Sequence, residues 1–555
     1  MRKLLLLGIY TLSVISLQAQ HSLTPLNEDL YNQIDRLVIK QGGGQYGFQG
    51  TVKPYSRYQV SQLLRNSTPE SRVDKFHWEF LAKEHWTGMD SLNLVDRRPL
   101  AKYFFRTKTD LYSVNTDGLT LRLNPVIQLS GGLSPGDDAQ PFRNTRGVEV
   151  HGTIDNKVSF YTIMADNQAT WAPYVRRAID SVNVVPGQGF WKPFRENGVD
   201  FFLARGHVSV PITKHIEVHA GHDRQFIGHG YRSMIWSDFG PPALFLRADT
   251  RIWKVRYTNL FTQGVANIYT TPQGTLGTRP FTHKQIVLHH LSVNLAPNFQ
   301  GGVFELVVNG DADSLGSGFG INYLNPIIFY RALEQQGGSS GNVLLGADFK
   351  WDLWNSLRLY GQFVLDEFLL SEIRARNGWW GNKYGAQLGF KYVDALNLSG
   401  LDLQAEVNWA RPYTYTHLSH YTSVTHYQQP LAHPLGANFK EVVGIVRWQG
   451  HPRWQVSLKG IGAVYGADSA GTNWGTNLLL PYDTRQQQYN NVIGQGAATQ
   501  LLLAESRISY QLWHQCFLEG RAVLRQRRVQ NQETQRESYF EASLRWSLPY
   551  RPQDF

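Results

Sequence analysis

From about Leu119 onward, hydrophobic and polar residues alternate with a period of two, the spacing of β-strands whose two faces meet different surroundings. In LTLRLNPVIQL, Leu119, Leu121, Leu123, Ile127 and Leu129 share one face while Thr120, Arg122, Asn124 and Gln128 share the other. HIEVHAG sets Ile216, Val218 and Ala220 against His215, Glu217 and His219. LDLQAEVNW sets Leu401, Leu403, Ala405, Val407 and Trp409 against Asp402, Gln404, Glu406 and Asn408. The last clear strand, FEASLRWSL, opposes Phe540, Ala542, Leu544, Trp546 and Leu548 to Glu541, Ser543, Arg545 and Ser547. Before about residue 100 the period is helical: Leu30, Ile34, Leu37 and Val38 share a face, and Pro54 to Leu64 and Glu70 to Trp86 predict two more helices.

The polar face of these strands carries full charges of both signs. A small soluble barrel turns its apolar face inward, because unpaired buried charges are costly. A transmembrane barrel inverts this, with an apolar wall toward lipid and a polar lumen. A soluble β-sandwich also alternates, but it does not usually need so many strands of about ten residues.

Connection lengths give an independent test. Tight turns are expected near Asn156, Pro211, Thr250, Pro297, Asn355, Asn397, Gly450 and Trp513. Between them lie long connections: Asn167 to Asn197, His222 to Pro242, Gln263 to His283, Gly310 to Gly341, Leu370 to Gly381, Pro412 to Ala437, Gly466 to Gly496, and a shorter one around Asn531. Short and long alternate, as periplasmic turns and external loops do in outer-membrane barrels. A raw count gives about 19 strands, whereas single-chain bacterial barrels have an even number. If the helices precede the barrel on the periplasmic side, the first spanning strand runs outward. That fits Leu119 to Ser130 and makes Tyr103 to Val114 a periplasmic extension, which leaves about 18 strands.

The expected fold is therefore all-β, an antiparallel transmembrane outer-membrane barrel with a small N-terminal α-helical module. The opening MRKLLLLGIYTLSVISLQAQ has basic Arg2 and Lys3, an apolar stretch and Ala19 before Gln20, the pattern of a cleaved secretory signal. Residues 1–19 are read as that signal, 20–100 as a periplasmic helical module and connector, and 101–555 as the barrel. After the leader there is no apolar run of about 18 residues, so a transmembrane helix is not expected. The net charge of +10 includes two leader residues, and the remaining basic residues are interleaved with acids. A nucleic-acid surface would concentrate them on one patch, so nucleic acid is not expected as a partner. With one cysteine, Cys516, the chain has no internal disulfide framework, so backbone pairing and packing must hold it together.

Several segments resemble the Wzi family of capsule-assembly outer-membrane proteins and the related RemB-type proteins associated with gliding motility. They are PLNEDLYNQIDRLVIKQG with VKPYSRYQV, LRLNPVIQLSGG, GHDRQFIGHGYRSMIWSD with RIWKVRYTNLF, and FGINYLNPIIFYRALE. The resemblance implies an 18-stranded outer-membrane barrel with a small periplasmic helical bundle. It also implies a lectin-like, non-catalytic attachment point for surface polysaccharide. Outer-membrane lipid and other envelope proteins are the further partners, and no cofactor is expected. The alternatives are an outer-membrane component of a gliding-motility or surface-adhesion apparatus, and a diffusion channel.

The candidate contacts are Asp223, Arg224, Gln225, Gly228, Gly230, Tyr231, Arg232 and Ser233 of HDRQFIGHGYRS, with Trp379, Trp380, Tyr413 and Tyr415. Arginine binds carboxylates such as those of acidic sugars in a planar, bidentate way, and tyrosine stacks on sugar faces. Equally, Gly228 and Gly230 permit a tight loop, and Asp223 can pair with Arg224 or Arg232 to fold that loop into the barrel mouth. Tyr413, Tyr415, Trp379 and Trp380 can also belong to the interfacial girdle of the lipid band. His417, His420 and His426 follow no zinc-ligand spacing. Asp311/Asp313 and Asp366/Glu367 are carboxylate pairs such as glycosidases use, but nothing singles one out, and a polar lumen needs such groups anyway. The chain carries neither an H-E-x-x-H motif nor a P-loop, so an enzyme is not expected.

Overall fold

The computed structural model describes residues 22–42, 48–85, 107, 109–267, 281–310, 325–329, 341–469 and 471–555. Eighteen strands pair antiparallel, each with the next in the chain, in one closed barrel. They are β1 (Leu119–Leu133), β2 (Phe142–Ile154), β3 (Val158–Thr170), β4 (Gly198–Pro211), β5 (Ile216–Asp223) and β6 (Ala243–Ile252). Next come β7 (Val255–Asn267), β8 (Thr282–Ala296), β9 (Phe299–Asn309), β10 (Asn342–Leu353), β11 (Leu357–Glu367) and β12 (Lys383–Tyr392). The last are β13 (Leu401–Ala410), β14 (Phe439–His451), β15 (Trp454–Ala467), β16 (Ala497–Trp513), β17 (Cys516–Val529) and β18 (Gln535–Trp546). β18 closes onto β1, with Phe540 opposite Leu133 and Trp546 opposite Ile127. Closure leaves no row of unpaired edge groups, which hydrocarbon could not satisfy.

The first spanning strand begins at Leu119 as expected. The described part of Tyr103 to Val114 supplies only a short ladder, Tyr112–Asn115, against the start of β1. The expected tight turns all fall at one end of the barrel, and the strand ends that flank the expected long loops fall at the other. The leader, most of the loops 268–280 and 311–340, and the pair Asp311/Asp313 lie outside the described residues.

Burial follows the predicted parity. Arg122, Asn124 and Gln128 of β1, Glu217 and His219 of β5, and Gln404, Glu406 and Asn408 of β13 are buried in the lumen. Leu129, Phe202, Leu246, Phe363, Val442, Leu502 and Ile508 are exposed on the outer wall. Exposed Trp253, Trp354, Trp448, Trp454 and Trp513 ring the short-turn end, where an interfacial tryptophan girdle belongs. Apolar patches interrupt the polar lumen: Phe245, Leu260, Ile286, Leu288, Phe304, Leu306, Leu344 and Val364 pack with Met234, Ile235 and Trp236, and Val443, Ile445, Ile461, Leu503 and Val523 form another patch with Tyr231 and Tyr539 packed against it.

Among the described residues, three helices precede the barrel: α1 (Glu28–Lys40), α2 (Arg57–Arg65) and α3 (Arg72–Glu84). Asn27 caps α1, and Ser71 with Asp74 forms a capping box that starts α3. The face predicted for α1 is buried: Leu30, Ile34, Leu37 and Val38 pack with Tyr55, Val60, Leu64 and Leu81. The bundle is docked on the short-turn end of the lumen by charge. Arg36 reaches Asp394 (2.5 Å), Asp402 (2.6 Å) and Asp74 (2.9 Å), and Asp35 reaches Lys391 (2.5 Å) and Arg358 (2.9 Å). Glu28 pairs with Arg447 (2.9 Å), and Asp29 pairs with Arg507 and Arg545. The charged lumen face that alternation reveals is thus the counter-surface for the helices.

Candidate functional site

After Asp223 the chain turns into the lumen and stays there until β6 begins. Phe226 and Ile227 form a two-residue antiparallel ladder with Lys53 and Val52, and the Gly228 amide donates to Thr51 O (2.8 Å). Gly228 has φ +139°, and a Cβ there would lie 2.4 Å from Gln362 Nε2. At Gly230 a Cβ would lie 2.5 Å from Glu406 Oε2, so only glycine lets the backbone come this close to the β13 carboxylate. That approach delivers the next two amides: Tyr231 N donates to Glu406 Oε2 (2.7 Å) and Arg232 N to Glu406 Oε1 (2.9 Å). Gln362 of β11 accepts from Met234 N (2.7 Å) and donates to Ile227 O (2.8 Å). Ser233 Oγ donates to Ile227 O (2.6 Å) and accepts from Ile235 and Trp236 N.

Every nominated side chain of this loop has an internal partner. Asp223 accepts from Arg205 Nη1 (3.3 Å) and the Arg224 amide (2.8 Å), and Gln225 accepts from Arg247 (3.1 Å). Arg224 donates to Gly187 O and Gln188 Oε1; burial first, and then the nearby Arg551, push its pKa below the usual guanidinium range. Arg232 pairs with Glu441 (3.1 Å) and with Asp554 (3.1 Å), which also accepts from Lys459 (2.9 Å) and from the Tyr231 hydroxyl. Burial alone would raise the Asp554 carboxyl, but Arg232 and Lys459 override it and hold it below the ordinary carboxylate range. Asp554 belongs to a tail that turns back into the lumen after β18. There Tyr550 donates to Glu505 (2.8 Å) and Arg551 to Gly187 O (2.9 Å). Tyr231 of the loop packs on the apolar patch of Val443 and Ile445, while Leu548 of the tail packs with Val126 and Ile163, and Phe555 with Val199 and Phe201. Loop and tail leave beside α1 a cavity of about 120 Å³ lined by Lys53, Tyr231, Arg232, Arg447, Tyr550 and Asp554.

A second cluster lies at the long-loop mouth, where the connections 368–382 and 468–496 are laced by backbone bonds. Trp380 N donates to Gln488 O (3.0 Å), Asn490 N to Asn377 O (2.8 Å) and Asn491 N to Gly378 O (2.9 Å). Trp379 and Trp380 stand 5.8 Å apart and are half-buried. Tyr482 packs on Trp380 at 4.8 Å, and the Arg485 guanidinium lies 4.2 Å from the same indole. Arg374, Arg376 and Tyr489 are exposed around them. Aromatic faces edged by guanidinium groups can stack on a sugar ring and hold a carboxylate.

Tyr413 and Tyr415 lie beneath this shelf and are buried, so the girdle reading does not apply to them. Tyr413 OH donates to Asn473 O (2.9 Å), and Tyr415 OH to Met234 O (2.7 Å), tying the mouth to the lumen loop. Asp366 and Glu367 both contact Lys383 Nζ at 3.2 Å, and Asp366 also accepts from Tyr415 N (2.7 Å), so the pair is engaged in holding the mouth loops. Among the described residues no three His, Cys, Asp or Glu side chains gather to hold a metal. Sequence reasoning missed Tyr482 and Arg485, which carry no periodic signal. It missed the Arg232 partners Glu441 and Asp554 as well, although Glu406 stood on the face it assigned to the lumen.

No protein-family profile and no curated protein sequence matches the chain. Among solved structures it is similar in fold to Wzi of Escherichia coli, an outer-membrane protein involved in group 1 capsule assembly and a carbohydrate-binding β-barrel. The TM-score is 0.59 at 14% identity, over 95% of this chain and 99% of that one. OprD of Pseudomonas aeruginosa matches with TM-score 0.41 at 10% identity, over 82% of this chain and 97% of its own. OccAB2 of Acinetobacter baumannii matches with TM-score 0.42 at 7% identity, over 78% and 98%. At such identity the likeness to Wzi is one of fold, that of an outer-membrane β-barrel.

Proposed function

We propose that this barrel sits in the outer membrane with its helices on the periplasmic side and binds surface polysaccharide at its long-loop mouth, organising glycan without catalysis. The observation that carries the reading is the half-exposed shelf of Trp379, Trp380 and Tyr482 with Arg485 stacked on it, held in place by backbone bonds between two loops. A preorganised aromatic platform loses little entropy on binding. The carbohydrate binding of the E. coli barrel with the same fold supports it. The lumen favours binding over conduction, because the helices, the loop after Asp223 and the tail all occupy it.

Within this reading Trp379 and Trp380 contact sugar, whereas Asp223 to Ser233, Tyr413 and Tyr415 organise the loops that present them. The test is twofold: binding of purified protein to isolated capsular polysaccharide, and retained against shed polysaccharide after deletion in an encapsulated host. Binding that falls with Trp380→Ala, together with increased shedding, is the expected result. No binding and unchanged retention would sink the proposal. Cross-linking in intact cells that captured envelope proteins and no glycan would favour the motility or adhesion reading instead.

A further inference from the structure

The outer wall carries a feature that glycan binding does not use. On β14 to β18 the outward positions form a trough of about 750 Å³, lined by Val442, Gly444, Gly460, Gly462, Leu502 and Leu524 among others. Its floor is one rung of small side chains: Ala405 pairs with Gly444, Gly444 with Gly460, and Gly460 with Ala504. The adjoining rung toward the long loops runs Val442, Gly462, Leu502, Gln526 and Arg536, and the next runs Lys440, Val464, Gln500 and Arg528. The trough is therefore apolar at its floor and basic at its long-loop end, where its acidic lining residue, Glu537, is paired with Arg525 (3.2 Å) and Arg177 (2.8 Å). Its volume is within the range, about 300–1,000 Å³, of sites that hold a drug-sized ligand.

The charge pattern selects the occupant. Across the outward positions of these five strands the charged residues are Lys440, Arg528 and Arg536, all exposed and all basic. None of the three makes an ion pair among the described residues, whereas outward Arg146 on β2 has Asp166 at 3.3 Å. Basic side chains at the end of an apolar trough complement a molecule with acyl chains and an anionic head. A second copy of the chain fits less well, because a two-fold contact would bring basic rim against basic rim.

We infer that this trough is a specific lipid site that takes a phosphorylated, acylated glycolipid of the outer leaflet, acyl chains along Gly444, Gly460 and Ala504 and phosphate at Arg528 and Arg536. The inference rests on the orientation given above, long loops outward, and not on glycan binding. The experiment is native mass spectrometry of the full chain in detergent with three lipids: bis-phosphorylated lipid A, dephosphorylated lipid A and phosphatidylethanolamine. The wild type is expected to retain the bis-phosphorylated form roughly tenfold or more over the others. Arg528→Ala with Arg536→Ala should remove that preference. Gly460→Leu or Gly444→Leu should abolish retention by filling the trough. At both glycines an added Cβ meets nothing within 4 Å, so the barrel accepts the side chain. Heat-modifiable mobility of each variant checks that it is folded. Equal retention of the three lipids, or wild-type retention in the folded variants, would overturn the inference. So would a detergent-stable dimer that Gly460→Leu dissolves. Because no polysaccharide enters the assay, glycan binding can fail while this result stands, and the reverse.

Discussion

The loop after Asp223 and the loops that carry Trp380 and Arg485 are built from the same kinds of residue: arginine, aromatics, glycine and small polar groups. Their fates are opposite. In the first, Arg232 meets Glu441 and Asp554, and two backbone amides share Glu406, so the charge of Arg232 and these amides are taken up by the barrel itself. In the second, Arg485 lies on an indole and donates to Gln488 Oε1 (2.7 Å) and Tyr482 O (3.2 Å), but no carboxylate pairs with it among the described residues, so its charge stays unneutralised at the mouth. The lesson is that inward carboxylates on β13 and β14, and not loop composition, decide which loop becomes scaffold and which becomes surface. Buried charges persist only when paired, and the lumen supplies the pairs.

The comparison can be broken or sharpened experimentally. Arg232→Ala should have the largest effect, because it removes the buried cation shared by Glu441 and Asp554 and leaves the first with His433 and the second with Lys459, at a cost of about 3–5 kcal/mol. Urea unfolding should show that loss, and planar-bilayer recordings should show conductance that the wild type lacks. A variant of unchanged stability and no conductance would mean that the loop is not the closure.

Next comes acid. Burial first, and then Arg36, lower His77 to about 4, and burial followed by Arg57 lowers His85 to about 3. Both rings are therefore neutral when folded and protonate more readily when unfolded. Their contribution is fully present above about pH 6.5 and is lost as pH falls toward those values. For His77 this is on the order of 3 kcal/mol. Hydrogen exchange at pH 4.5 should show α3 and its neighbours opening while amides near Tyr231 stay protected, since Asp554 remains ionised there. Simultaneous opening of both would refute the separation drawn between them.

Trp380→Ala should weaken polysaccharide binding by about 1–2 kcal/mol, the scale of aromatic stacking with an adjoining cation. Its melting temperature should stay close to that of the wild type, the reverse of Arg232→Ala. The smallest effect is expected for Arg374→Ala. This exposed residue should shift stability by less than about 0.5 kcal/mol and matter for binding only if the glycan is acidic, which a carboxyl-reduced polysaccharide would reveal.

Much of the fold was legible because it is written locally. The parity of Arg122, Asn124 and Gln128 against Leu121, Leu123 and Leu129 places each side chain on the lumen or the lipid face. The alternation of short and long connections orients the strands. α1 was legible for the same reason, from the spacing of Leu30, Ile34, Leu37 and Val38. The site was legible only in part. The stretch from Asp223 to Ser233 stood out for its glycines and charges, and the structure explains those glycines by approaches to Gln362 and Glu406, on strands far away in sequence. Tyr482 and Arg485 carried no signal, because a loop residue has no period and its neighbours come from a separate connection. The apolar inner patch of Val443, Ile445 and Leu503 contradicts a uniformly polar lumen. It makes sense only once Tyr231 of the loop is seen to pack against it.

The sequence by itself determined an antiparallel, two-faced wall of about eighteen strands with helices before it, because a period of two and a period of 3.6 are properties of neighbouring residues. Only the tertiary structure decided that the lumen is filled, that Asp554 clamps Arg232 from more than three hundred residues away, and that one arginine-rich loop is spent inside while another faces out. Those outcomes depend on which charges meet across the barrel, and meeting is set by closure and register, which no local pattern encodes.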